Sequence, residues 1–400
     1  RKKILSADYV NGQALIEALN RPNRRQREAI FDLLEALKIR DLDLLRFTRQ
    51  GLEQAYTFLT RISALEKLPE SKGKALLREH LYQKKELVLE NTFRVLSIHD
   101  RNGQMRTVFR GLFTGSQRQR ANSIELLGDV MDRKLFEMAE PLLEGASLSN
   151  ILAAGRKFFR LPKYASVSRD LFPELLNSPD WLEIVLALGI LRHEAEILEQ
   201  HRAAVQELKS APDAHIRQMA QKIAPGDAGE LDPKEQIMDT ELTVPEKILL
   251  LKNIAIFSGL TASELGAIAA VTEEIDYPAE QAVIAEGEPG ERVYLIIDGE
   301  VAVCKGSNAH QQIRLDTMGA GDYFGEMALF EQAERSATIR TLKASRFLVL
   351  DKQEFNELVR EYPGIALQIC TVLSQRLRHL HSRLAEAEGG SDAEEKAQCR

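Results

Sequence analysis

The chain has 400 residues, 44% hydrophobic and 28% charged, with a formal net charge of −7. Such a length holds two or three domains with sizeable cores, and the composition excludes disordered and fibrous classes. The acidic balance argues against broad nucleic-acid binding, while Cys304, Cys370 and Cys399 lie too far apart for a metal pattern and fit a reducing compartment.

The chain opens Arg1-Lys2-Lys3-Ile4, without Met. It reads either as a trimmed end or as a piece cut just after a membrane segment, since basic residues gather on the cytoplasmic side of such segments. No apolar run within it is long enough to span a bilayer, and no signal-peptide pattern is present. From Gly12 to about His201 the hydrophobic period is helical. Gln13–Leu19 gives a short helix, and Pro22 suits the first turn of the next. Ile30, Leu33, Leu34 and Leu37 recur at helical spacing, and Leu77, Leu81, Val88, Leu89, Phe93 and Leu96 mark a longer amphipathic helix. Glycine, proline and asparagine clusters such as Pro69–Gly73, Gly111–Ser116 and Pro141–Ser149 separate the helices.

Four helix starts resemble one another: those at Pro22, Gly115, Ser178 and Ala211. Of these, the Ala211 stretch, with Pro212-Asp213, Ile216-Arg217 and Ala220, is close to the HEAT-repeat pattern. The expectation is a degenerate array of two-helix units that must stack to bury their apolar faces. Arg21, Arg24, Arg25 and Arg27, and again Arg106, Arg110, Arg118 and Arg120, read either as a nucleic-acid or phospholipid surface or, preferred because acidic residues are interspersed and aromatics sparse, as solvated faces. His80, His99, His193 and His201 show no ligand spacing. No nucleophile–base pair, phosphate loop or metal cluster is evident, so an enzyme is not expected.

Ala224–Pro233 is polar and turn-rich, and Leu242–Leu251 reads as a joining helix. Thr261 is an N-cap with Glu264 completing a capping box. From Ile275 the period changes. Asp276–Ile284, Arg292–Ile297, Glu300–Cys304, Gln312–Asp316, Ser336–Thr341 and Phe347–Asp351 read as short strands between glycine turns, suggesting a jelly-roll β-barrel. Tyr362-Pro363-Gly364 precedes a last helix, Ile365 to about Glu388. In it Leu373, Leu377, Leu380 and Leu384 form a short seam, suited to a lid or to a homodimer contact. The expected organisation is α+β: residues 1–223 a helical-repeat domain, 224–251 a linker and joining helix, 252–388 a ligand-binding domain, and 389–400 a disordered acidic tail.

The most informative stretch is Ala320–Thr341. Gly325 removes a β-carbon, so backbone can approach a ligand closely. Glu326 can accept a bond from a sugar hydroxyl. Nine residues on, Arg335 offers a planar fork to phosphate oxygens. A helix starting here would aim free N–H groups at an anion.

Phe324-Gly325-Glu326, Met327-Ala328-Leu329, then Arg335, Ser336, Ala337 and Thr338 resemble the phosphate-binding cassette of the cyclic nucleotide-binding domain family. The resemblance covers about Lys252–Leu384. It implies that Glu326 binds the ribose 2′-hydroxyl and Arg335 the cyclic phosphate. It further implies that backbone N–H groups near Gly325, Met327, Ala328 and Ser336 bond ribose or phosphate oxygens. Cyclic AMP is the first choice of ligand and cyclic GMP the second, with no metal. Ser336 leaves the base preference open: family members preferring cyclic GMP carry Thr there, many cyclic AMP members Ala, and Ser occurs among bacterial cyclic AMP activators. The last helix would close over the base, and no helix-turn-helix follows it.

The helical half also resembles the HEAT-like cytoplasmic region of bacterial nucleotide-carrier-like or major-facilitator transporter proteins, by domain order and helical texture. That implies a cytoplasmic sensor on the inner face of the inner membrane, regulating a transporter part of the same longer chain. The other reading is a structural scaffold whose barrel has lost nucleotide binding.

Overall fold

The computed structural model describes residues 12–19, 24–37, 42–100, 102–224, 241–306, 313–330, 334–375 and 377–378. The start of the chain, most of the linker, the seam positions Leu380 and Leu384, and the acidic tail lie outside them. The chain divides into two compact units, Arg1–Gly229 and Glu230–Arg400.

The first unit is helical, as its apolar spacing dictates. Its longest members are Leu44–Leu65 (22 residues), capped by Asp43, and Lys72–His99 (28 residues), capped by Ser71. They pack on one another through fully buried side chains including Leu52, Tyr56, Ile62, Leu77, Leu81 and Phe93. The tyrosine hydroxyl, deep in this core, donates to the Met138 carbonyl at 2.9 Å. The helix Trp181–Leu191 is apolar almost all round, and every residue from Leu182 to Leu191 is buried, so it is a central rather than a surface helix. The described helices of this unit range from 5 to 28 residues, and a π-helical turn at Val167–Leu171 interrupts them. Elements so unequal do not show the repeating two-helix unit expected from the sequence. No helix among the described residues is long and apolar enough to cross a membrane.

The second unit begins with two capped helices, Val244–Asn253 and Ala262–Val271. Thr243–Glu246 and Thr261–Glu264 each form the reciprocal capping box. Eight strands follow: β1 Glu273–Tyr277, β2 Ala282–Ile284, β3 Arg292–Asp298, β4 Glu300–Lys305, β5 Ile313–Gly319, β6 Tyr323–Phe324, β7 Thr338–Thr341 and β8 Ser345–Asp351. They form two antiparallel four-stranded sheets, ordered β1-β8-β3-β6 and β2-β7-β4-β5. The expected barrel is therefore a sandwich: among the described residues β1, β6, β2 and β5 each have one neighbour, so neither sheet closes. Between the sheets lie Tyr294, Ile296, Val301, Phe324, Ile339, Phe347 and Val349.

The single strand expected over Asp276–Ile284 is two. Pro278 lacks an N–H, Glu280 takes φ 61, and Thr341, fully buried, ties the bend. Its hydroxyl donates to the Pro278 carbonyl at 2.6 Å and accepts from the Gln281 N–H at 2.9 Å. The helix Lys352–Glu361, capped by Asp351 and anchored by Phe355 and Leu358, was not expected from the sequence. The last helix starts at residue 363, with proline in its first turn. Ile365, Ile369 and Val372 of this helix are buried, whereas Leu373 and Leu377 of the expected seam are exposed.

Candidate functional site

The ladder geometry brings the two halves of the Gly325–Ser336 stretch around one cavity. Strand β6 pairs with β3, which delivers Gly325 beside the start of β3. Gly325 has φ +79, and a β-carbon there would lie 2.6 Å from Arg335 Nη1 and 2.9 Å from the Arg292 carbonyl oxygen. Only glycine fits, for both conformational and steric reasons.

Arg335 is held at both ends. Its N–H donates to the Glu288 carbonyl at 2.8 Å, and its own carbonyl accepts from the Gly287 N–H at 2.9 Å. At the far end, Nη2 donates to the Arg292 carbonyl at 2.8 Å and Nη1 to that of Gly325 at 3.3 Å. These bonds leave further donors of the guanidinium fork uncommitted. No carboxylate of the described residues pairs with it directly. Burial pulls its pKa below the usual arginine value, and Tyr294, Glu288 and Glu326 oppose that only through space. The Glu326–Arg335 ion pair that would have explained both residues structurally is not formed. What stands at the site is a half-desolvated cation bonded to neutral carbonyls, an arrangement that a bound anion would stabilise.

The cavity measures about 400 Å³. Ile284, Val303, Met318 and Ile339 form an apolar wall, and Glu326 and Arg335 a polar one. That division suits a ligand with a flat apolar part and an anionic part. Gly325, Glu326, Met327, Arg335 and Ser336 all line it. Ala328 sits inside the short helix Met327–Phe330. Met327 and Phe330 are 54% and 46% exposed, with Phe330 meeting the Phe355 ring edge-on at 6.0 Å. No backbone hydrogen bond among the described residues engages the N–H of Gly325, Glu326 or Ser336. The expected lid is a different matter: no described residue of the last helix lines the cavity.

Sequence reasoning missed the apolar wall, because β2, β4, β5 and β7 each contribute only one of its members. It also missed Gly290, where a β-carbon would lie 2.6 Å from Arg335 Cζ. Nothing local marks that glycine, because its reason is a side chain arriving from elsewhere in the fold.

One cluster lies in the first unit. His80, Asp180 and Glu183 approach closely enough to share a cation. Lys84 Nζ, 3.1 Å from Asp180 and 2.6 Å from Glu183, and Arg61, 2.8 Å from Glu183, already supply that charge. The cluster therefore reads as a buried ion-pair network binding three helices.

Residues 274–362 match the family model of the cyclic nucleotide-binding domain, so the second unit carries a domain of that family. The CRP-like cAMP-activated global transcriptional regulator of Mycobacterium tuberculosis is 31% identical over 137 residues, 34% of this chain and 61% of that protein. The Cyclic AMP receptor protein of Thermus thermophilus is 28% identical over 128 residues, 32% of this chain and 59% of that protein. Among solved structures, the regulatory domain of Toxoplasma gondii PKA with cAMP shares 26% identity. It covers 32% of this chain and 46% of that one, with a TM-score of 0.27. The chain thus spans about six-tenths of the length of these two curated relatives.

Proposed function

We propose that this protein is a ligand sensor: the second unit binds a cyclic nucleotide, cyclic AMP in preference to cyclic GMP, and binding biases the state of the helical unit. One observation carries the reading. Arg335, half-buried and without a carboxylate partner among the described residues, faces the same cavity as Glu326 and the apolar wall. The cyclic phosphate would supply the missing counter-charge, Glu326 would accept from the ribose hydroxyl, and the base would lie on the apolar wall. The regulators named above, called cAMP-activated and cyclic AMP receptor, support the choice of nucleotide.

Regulation would follow as a population shift, the ligand binding one state of the chain better than the other. This reading makes the protein a binding module, not an enzyme, in the cytoplasm, with no metal and no nucleic-acid partner. The attached membrane transporter rests on domain order, helical texture and the basic start at Arg1. Reading the coding sequence upstream of Arg1 tests that part.

Calorimetry with cyclic AMP and cyclic GMP tests the core. Binding of either supports the sensor, and absence of both leaves a scaffold whose sandwich has lost its ligand. Coupling is reciprocal and typically about 1–3 kcal/mol. Cyclic nucleotide should therefore change hydrogen exchange in helices before Ala224, and an unaltered pattern there would confine the ligand's effect to the second unit.

A further inference from the structure

The β4–β7 ladder ends at the Cys304–Thr338 pair, two residues short of Ser336. Beyond it, side chains take over. Lys305, the last residue of β4, donates from Nζ to the Ser336 carbonyl at 3.0 Å. The same ammonium lies 3.4 Å from Glu286 Oε1, while Glu286 Oε2 accepts from the Gly306 N–H at 2.8 Å. The Glu286 N–H in turn donates to the Thr338 hydroxyl at 3.0 Å. The next two residues are stitched to Arg335: the Gly287 N–H donates to its carbonyl, and the Glu288 carbonyl accepts from its N–H. The Ser336–Ala337 peptide, one unit beyond Arg335, is thus held by a lysine that is itself held by a carboxylate.

We propose that Lys305, oriented by Glu286, is a positioning residue of the nucleotide site, fixing the Ser336 peptide and with it the backbone that presents Arg335. The proposal rests on the cyclic-nucleotide reading above. A peptide unit is planar, so bonding the Ser336 carbonyl also sets the direction of the Ala337 N–H. Both residues line the cavity. An exposed ion pair alone would contribute little. Here the ammonium also satisfies a carbonyl that the ladder has left unpaired, so its loss frees the segment next to the ligand's anchor.

The experiment is calorimetric titration of the full chain with cyclic AMP and cyclic GMP, alongside thermal unfolding without ligand. The variants are Lys305→Met, Lys305→Arg and Glu286→Gln. Lys305→Met keeps the stem and removes the donor, and should weaken binding about fivefold, the scale of one charge-assisted bond discounted for exposure. Lys305→Arg keeps a cationic donor and should recover binding to within about twofold. Glu286→Gln, which leaves the lysine donor in place and removes only its counter-charge, should fall between. The unliganded midpoint should stay within a few degrees of wild type throughout. Wild-type affinity in Lys305→Met, or equal weakening in the methionine and arginine variants, overturns the brace while leaving the site intact. Failure of the wild type to bind either nucleotide overturns both.

Discussion

Replacing Arg335 by alanine is the sharpest perturbation of the site. In the unliganded protein the guanidinium makes two bonds to neutral carbonyls, at 2.8 and 3.3 Å, and is held partly out of water. Two such bonds are worth about 1 kcal/mol each, and relief of the desolvation offsets part of that. The substitution should therefore change unliganded stability by no more than about 1 kcal/mol. Binding should respond differently. Removing one partner of a desolvated charged hydrogen bond costs at least about 2 kcal/mol, or roughly 30-fold in affinity. Lysine at this position should recover only part of the loss, because a point charge lacks the fork. Calorimetry gives the affinity, and thermal unfolding with and without saturating nucleotide gives the linked stabilisation. Unchanged affinity in Arg335→Ala, with wild-type binding demonstrated, would refute the assignment of the cavity. A large drop in unliganded stability would instead show Arg335 to be chiefly a structural residue.

Two further outcomes are expected. Gly290→Ala places a β-carbon 2.6 Å from Arg335 Cζ and should displace the guanidinium, weakening nucleotide binding about tenfold; titration at wild-type strength would show that Arg335 tolerates the shift. Asp180→Asn should cost the helical unit about 3 kcal/mol near neutral pH, as for stripping a partner from a buried pair. Burial pushes the Asp180 carboxyl up, but His80 and then Lys84 outweigh it and hold it well below the usual carboxylate range. A depressed folded pKa gives stability that is full above the unfolded value, about 4, and lost as pH falls through the lower folded value. The difference between wild type and Asp180→Asn should thus narrow below about pH 4. Trp181, the chain's one tryptophan, reports denaturant unfolding from the adjacent position. A difference constant from neutral to strongly acid pH would dismiss the ion pair.

Much of this protein was legible in its sequence because much of it is set by short-range rules. Thr261 and Glu264 announced their helix through a four-residue pattern, and the structure forms that capping box. Phe324-Gly325-Glu326 and Arg335 carried the family signature because the chemistry needs a missing β-carbon and a forked cation at a fixed offset. Helical period in the first half and glycine-punctuated strands in the second followed from side-chain periodicity alone.

What the tertiary structure decided are the features whose causes lie far along the chain. Whether eight strands close into a barrel or stack as two sheets depends on which edges pair, and no local pattern encodes that. The Arg335 guanidinium is seated by a carbonyl 43 residues away, at Arg292, and by the space that Gly290 leaves. Glu183 could be read as the polar position of a surface helix. It is instead fully buried, because Lys84 and Arg61, 99 and 122 residues distant, meet it in the core. Periodicity reports which face of an element is apolar, but only the packed chain brings a charge to its counter-charge.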